Sequence, residues 1–363
     1  REWTRDELRR RVGDMRQVAG VRLAELSDGA EHGVRVADVD TGSGFRFTVL
    51  LDRGMDIGPA SLDGRAIAWQ SGTGATHPAH YHPAGVDWLW GFHGGLLCLC
   101  GLSAAGQPTP ADAWGGHGLH GRVSNTPAST ISTGERWDGD AYEFWVEGRL
   151  REVRALGVHL ELRRRVTARA GESRLWVADR VENAGFEPAP LMLLYHCNFG
   201  FPLVDQGSRI VLGPHKTTAR DPVASAGLDR ALEIDPPQAG YAEQVFWHDV
   251  EPDAAGYVQA TVVNDALDAG AGLAGYVRFR KAERPHLLEW KQMGAGQYVL
   301  GLEPATSPSL GRGREQELGR LRLLEPGESV ELALEFGAAR GPAGIAALLD
   351  YGNVNRQGSR NSL

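Results

Sequence analysis

The chain has 363 residues, 42% hydrophobic and 23% charged, enough apolar matter for a sizeable interior. Its 46 acidic and 38 basic side chains are spread along the whole length for a net charge of −8, so nucleic acid would meet no basic face and is not an expected partner. No apolar run approaches the roughly 18 residues of a membrane span, and the odd set Cys98, Cys100 and Cys197 points to a reducing, cytoplasmic setting.

Thr4 followed three residues later by Glu7 is a capping-box pattern and predicts a short peripheral helix. After Gly20 the pattern changes to β-type runs separated by turns such as Asp28-Gly29 and Thr41-Gly42-Ser43-Gly44. From Gly72 to Gly121 glycine, tryptophan and histidine recur without periodicity, which predicts long connections over one end of the fold, where function tends to reside. Strand-like alternation marks Val158, Leu160 and Leu162, then Tyr276 to Phe279. It is clearest where Val330, Leu332, Leu334 and Phe336 oppose Glu331 and Glu335, and the turn Glu325-Pro326-Gly327-Glu328 predicts a hairpin with Leu321 and Leu323. Without the helical repeats of a parallel α/β sheet, the expected fold is mainly β, an antiparallel β-supersandwich with an N-terminal helix. The expected division is residues 1–19 as helical extension, 20–340 as one catalytic domain, and 341–363 as a C-terminal segment with a polar tail from Asn353.

Three segments offer chemistry. If Leu191 to Asn198 is extended, His196 and Asn198 share a face, and the imidazole either presents a proton to a cavity or is a core histidine bonded to a carbonyl. In Gln297 to Thr306, Tyr298, Leu300 and Leu302 take one side and Val299, Gly301 and Glu303 the other. Gly301 then leaves room for a ligand beside the carboxylate, unless this is a solvated strand end stopped by Pro304. Gly115 to Asn125 sets His120, Arg122 and Asn125 on a glycine-flexed backbone, donors of the kind sugars need. No Gly-Lys-Ser/Thr ending makes it a phosphate loop.

Together with Leu51-Asp52-Arg53-Gly54-Met55-Asp56-Ile57, Gly94-Gly95-Leu96-Leu97, Gly118-Leu119-His120-Gly121-Arg122, Tyr195-His196-Cys197-Asn198 and Gly301-Leu302-Glu303-Pro304, the chain resembles the galactose mutarotase-like (aldose 1-epimerase) superfamily. Within it, the chain is most similar to a sparsely characterised aldose 1-epimerase-related branch. The resemblance covers nearly everything after the first helix. It implies a cofactor-independent isomerase acting on a small carbohydrate, in which Glu303 takes the proton of the anomeric hydroxyl and His196 protonates the ring oxygen. It also implies that His120, with Arg122 alongside, holds the ring oxygen or nearby hydroxyls. The aspartate that grips hydroxyls in mutarotases is missing, and Glu243 is the nearest stand-in. Arg53 either contacts substrate or pairs with Asp56 in a structural network. Lys291 either reaches a substrate group or is a surface lysine. Trp88 and Trp90 could stack on a sugar, with packing the simpler reading for both.

Three rival readings remain open at this level. His80, His82 and Asp87 stand at nearly the spacing of a cupin metal motif, although no second motif follows and Pro78 and Pro83 interrupt a strand there. A sugar-binding module would keep the groove without the acid and base. The same pair could also epimerise or isomerise an open-chain sugar.

Overall fold

In the computed structural model, which describes residues 3–351, the capping box forms as expected: the Thr4 side chain accepts from Glu7 N and starts a helix over Arg5–Arg9. Almost everything else is antiparallel β. A five-stranded sheet runs in chain order from Gly20–Glu25 to Arg65–Ala66. An eight-stranded sheet is built around Ala141–Val153, His159–Arg169, Arg174–Asn183 and Ser329–Arg340. Alternation decides its faces: Leu160, Leu162, Val166, Val177, Leu334 and Phe336 turn inward, while Arg163 and Arg165 turn out.

A six-stranded sheet carries the strands on which His196 and Glu303 lie. Its strands are β1 (Cys98–Cys100), β2 (Leu194–Gly200), β3 (His215–Ala219), β4 (Gln244–Val250), β5 (His286–Gly294) and β6 (Gln297–Ala305), in the spatial order β3-β4-β5-β6-β2-β1. Its inner face gives Tyr195, Cys197, Phe199, Leu287, Met293, Leu300 and Leu302 to the main core, shared with the other two large sheets. Burying each such side chain contributes about 1.5–3 kcal/mol, which makes this core the main source of stability. The outer face holds a smaller cluster, with Cys98, Cys100, Leu194, Leu288 and Ala305 under Trp88 and Phe92 from the long connection. Trp69, Trp247 and Trp290 pack against it.

Two expectations change. Leu323–Leu324 does not form a hairpin with the last long strand; it pairs with Ala189–Pro190, and Ser329–Arg340 lies between Arg174–Asn183 and Leu273–Arg280. The turn therefore carries the chain from one sheet to another, because the inward apolar row of the last strand is buried only in the large sheet. The glycine-rich connection also contributes β1, which pairs with β2 and sets Cys98 opposite His196. All three cysteines are free and buried. Among the described residues no helix is long and apolar enough to cross a membrane. The tail from Asn353 onward lies outside the described residues.

Candidate functional site

Strand alternation brings the candidate side chains together. On β2, Tyr195, Cys197 and Phe199 face the core, so His196 and Asn198 face outward. On β6, Leu300 and Leu302 face the core, so Gly301 and Glu303 face outward beside them, and the register pairs Cys197 with Leu302 and Asn198 with Gly301. The result is a His196 Nε2 to Glu303 Oε1 separation of 3.1 Å, with 6% and 5% of the two side chains exposed. This close approach is not a well-directed hydrogen bond, since Glu303 Oε1 and His196 Nδ1 are both buried without a hydrogen-bond partner. His120, at a positive φ of 59° between Leu119 and Gly121, points its ring at His196 with centroids 5.7 Å apart. Its Nδ1 is likewise buried and unpartnered.

The room expected beside Gly301 exists but is filled from within. A Cβ there would lie 2.7 Å from Glu303 Oε1 and 3.1 Å from Trp290 Cβ, so the missing side chain gives space to the carboxylate itself. Phe92 and Trp290 wall the imidazole of His196, with centroids 5.1 and 5.2 Å away. Trp290 is fixed by a hydrogen bond from its Nε1 to Glu243 Oε2 at 2.8 Å, and Glu243 is held in turn by Arg220 at 3.2 Å.

These surroundings set the protonation states. Burial pushes the Glu303 carboxyl up to about 8, with the Glu243 charge adding to the rise and Arg220 opposing it. Burial pushes His196 down to about 3, His120 and His93 adding to the fall and an Asn198 contact opposing it. Burial alone takes His120 down to about 4. At neutral pH the trio is therefore uncharged, with the pair's single proton on Glu303. A carboxyl and an imidazole in contact, able to exchange one proton, can act as base and acid on two oxygens of one ligand.

A family profile described as a domain of unknown function, DUF4432, matches residues 31–338. The chain belongs to the DUF4432 family. Its fold is galactose mutarotase-like, as three solved structures illustrate. A Klebsiella pneumoniae protein with a provisional aldose 1-epimerase name is 25% identical, with a TM-score of 0.85 over 94% of this chain and 88% of that one. A galactose mutarotase-like protein from Clostridium acetobutylicum is 14% identical with a TM-score of 0.59, covering 89% and 99% of the two chains. Galactose 1-epimerase from Lactobacillus acidophilus is 14% identical with a TM-score of 0.50 over the same shares. No protein with a curated function matches in sequence.

The remaining sequence-expected residues of this DUF4432 chain are spread more widely. Asn198 lies beside His196, its Nδ2 donating to Gly95 O and His196 O while Oδ1 stays buried and unpartnered. Glu243 stands at the rim through Trp290 and Arg220. Arg53 is fully buried, and its guanidinium donates to the carbonyls of Ser124, Thr76 and Gly91, tying three loop segments together. Asp56 accepts from Leu99 N and lies 3.2 Å from His93 Nε2 rather than pairing with Arg53. Lys291 is neither a surface lysine nor near Glu303: it is buried on the opposite face of β5 from Trp290 and donates to Arg230 O. Arg122 is exposed beside Tyr81. Trp88 is buried packing stacked on Phe92, whereas Trp90 is 75% exposed.

His80 and His82 are exposed, Asp87 is half-buried, and the three do not gather. The one group of possible metal ligands among the described residues is Asp56, His93 and Cys98, all buried. The His93 contact and the nearby Arg53 charge already compensate Asp56 there. Phe92, Trp247, Trp290 and Arg220 were not singled out from sequence. Trp290 adjoins Lys291, and alternation alone sends the two to opposite faces, but which face meets Glu303 depends on the β5–β6 register.

Proposed function

We propose that this chain is a carbohydrate-active isomerase of the aldose 1-epimerase kind, which opens the ring of a small sugar by proton transfer at two oxygens. One observation carries the reading: His196 and Glu303 meet at 3.1 Å on an aromatic face where polar atoms of His120, His196, Asn198, Glu303 and Trp247 are buried without partners. Leaving such atoms unpaired costs about 1–3 kcal/mol each, a cost that packing alone does not explain. The name of the Klebsiella pneumoniae relative supports the same reading.

In the resting protein the proton sits on Glu303. Its transfer to His196 across the short gap yields a carboxylate and an imidazolium without exchange with solvent. Glu303 then takes the anomeric hydroxyl proton, the electrons of that O–H bond form the C1 carbonyl, and the bond from C1 to the ring oxygen breaks. His196 delivers its proton to the departing ring oxygen. Neutral His120 holds the ring oxygen or an adjacent hydroxyl, and the Phe92 and Trp290 walls keep the sugar against the pair. Rotation about C1–C2 and the reverse steps give the other anomer. Each proton transfer is worth about 10²–10⁴-fold.

Exchange spectroscopy by NMR on anomerically pure aldoses finds the substrate. Glu303→Gln is expected to lower turnover by about 10²–10⁴-fold with the fold intact. Full turnover by that variant, on a sugar that the wild type converts, would remove Glu303 as the base.

A further inference from the structure

A separate cavity of about 410 Å³ lies behind the loop that carries His120, lined by Arg122, Arg154, His117, Trp114, Glu152 and the glycine turn at Gly115 and Gly116. Its size falls within the usual range for small-molecule sites. Neither His196, Glu303 nor His120 lines it.

The charges in this cavity are unevenly used. Asp112 is taken by Arg312, which donates to both of its oxygens. Glu152 accepts from Leu102 N and from the Ser103 hydroxyl. Among the described residues neither Arg122 nor Arg154 has a carboxylate within ion-pair reach, so the cavity presents two guanidinium groups beside two carboxylates that are already engaged. The Arg154 guanidinium lies against Gly115, where a Cβ would come within 2.9 Å of Nη1, so the glycine is what admits it. The larger arginine-lined hollow on the eight-stranded sheet is different: Arg149 and Arg163 meet Glu161, Arg165 meets Glu147, and Arg180 meets Glu182.

We propose that the Arg122–Arg154 cavity is a binding site for a phosphate dianion, either free or carried by a small metabolite. Two forked guanidinium groups match phosphate oxygens in charge and geometry, and Trp114 lines the same cavity. Because Arg122 and His117 flank the turn that presents His120, an occupied site also braces the loop from behind.

Calorimetric titration with inorganic phosphate and, separately, with a hexose 6-phosphate tests this at constant ionic strength. Saturable binding of either probe is expected, about tenfold weaker in Arg154→Ala and restored in part by Arg154→Lys. Tighter binding of the ester identifies a phosphorylated metabolite as the source; equal binding identifies free phosphate. Glu303→Gln should bind inorganic phosphate like the wild type, which separates this cavity from the proposed His196–Glu303 site. Absence of saturable binding, binding indifferent to Arg154→Ala, or loss of inorganic phosphate binding in Glu303→Gln would overturn the proposal.

Discussion

Glu303 and His196 differ from ordinary surface groups by one physical circumstance, burial at contact distance, and the pH behaviour follows from it. In the proposed mechanism the working form of the pair holds one proton. With His196 near 3 and Glu303 near 8, that form dominates between those values, so kcat/KM should be flat through neutral pH and fall about tenfold per unit above roughly pH 8. A pH–rate profile of anomer exchange checks this; a limb that rises through pH 8 instead would mean that Glu303 works only after losing its proton to solvent. Stability has its own signs. The Glu303 value is raised from 4.5, so its contribution is full below that value and is lost as pH rises toward 8. The His196 value is lowered from 6.5, so its contribution is lost as pH falls from there toward 3. Denaturation midpoints of Glu303→Gln should therefore decline less between pH 4.5 and 8 than those of the wild type. Residue types and order pointed to both groups, but no sequence feature reports burial, which moves the carboxyl up and the imidazole down from their ordinary values.

At the scale of elements, β6 does two jobs with one alternation. Leu300 and Leu302 anchor it in the main core, and Gly301 and Glu303 face the aromatic side. Gly301→Ala should push the carboxylate away, since the new Cβ comes within 2.7 Å of it. The expected result is a loss of about 10²-fold in turnover with a stability cost of about 1–3 kcal/mol. Parallel measurements of kcat and Tm distinguish this from general unfolding. The period-2 pattern of β6 and the extended character of β2 were legible in the sequence. The partner of Leu323 was not, because a turn signal states where the chain bends and not which sheet receives it.

Across the whole molecule, a buried polar network joins the sheets behind the site. Arg164 donates to both Asp179 oxygens at 2.8 and 2.7 Å, the Tyr195 hydroxyl donates to Asp179, and Arg164 lies 3.7 Å from Asp56. Tyr195 precedes His196 on β2, so the eight-stranded sheet holds the backbone that presents the imidazole. Removing the carboxylate with Asp179→Ala leaves a buried guanidinium with only the more distant Asp56 to compensate it and should cost about 3–5 kcal/mol, read by chemical denaturation. The β-rich pattern and the motif order anticipated the fold class. None of them anticipated this network, whose members come from distant parts of the chain.

The sequence by itself determined the β architecture, because alternation of apolar and polar residues is a local property that survives in any register. It also singled out the glutamate, histidines and glycine turn, because their order along the chain is distinctive. Only the tertiary structure decided that Lys291 faces away from Glu303, that Arg53 is occupied by loop carbonyls, and that Trp290 walls the pair. Those outcomes depend on which strands become neighbours and which faces they bury, and that choice is made by long-range packing.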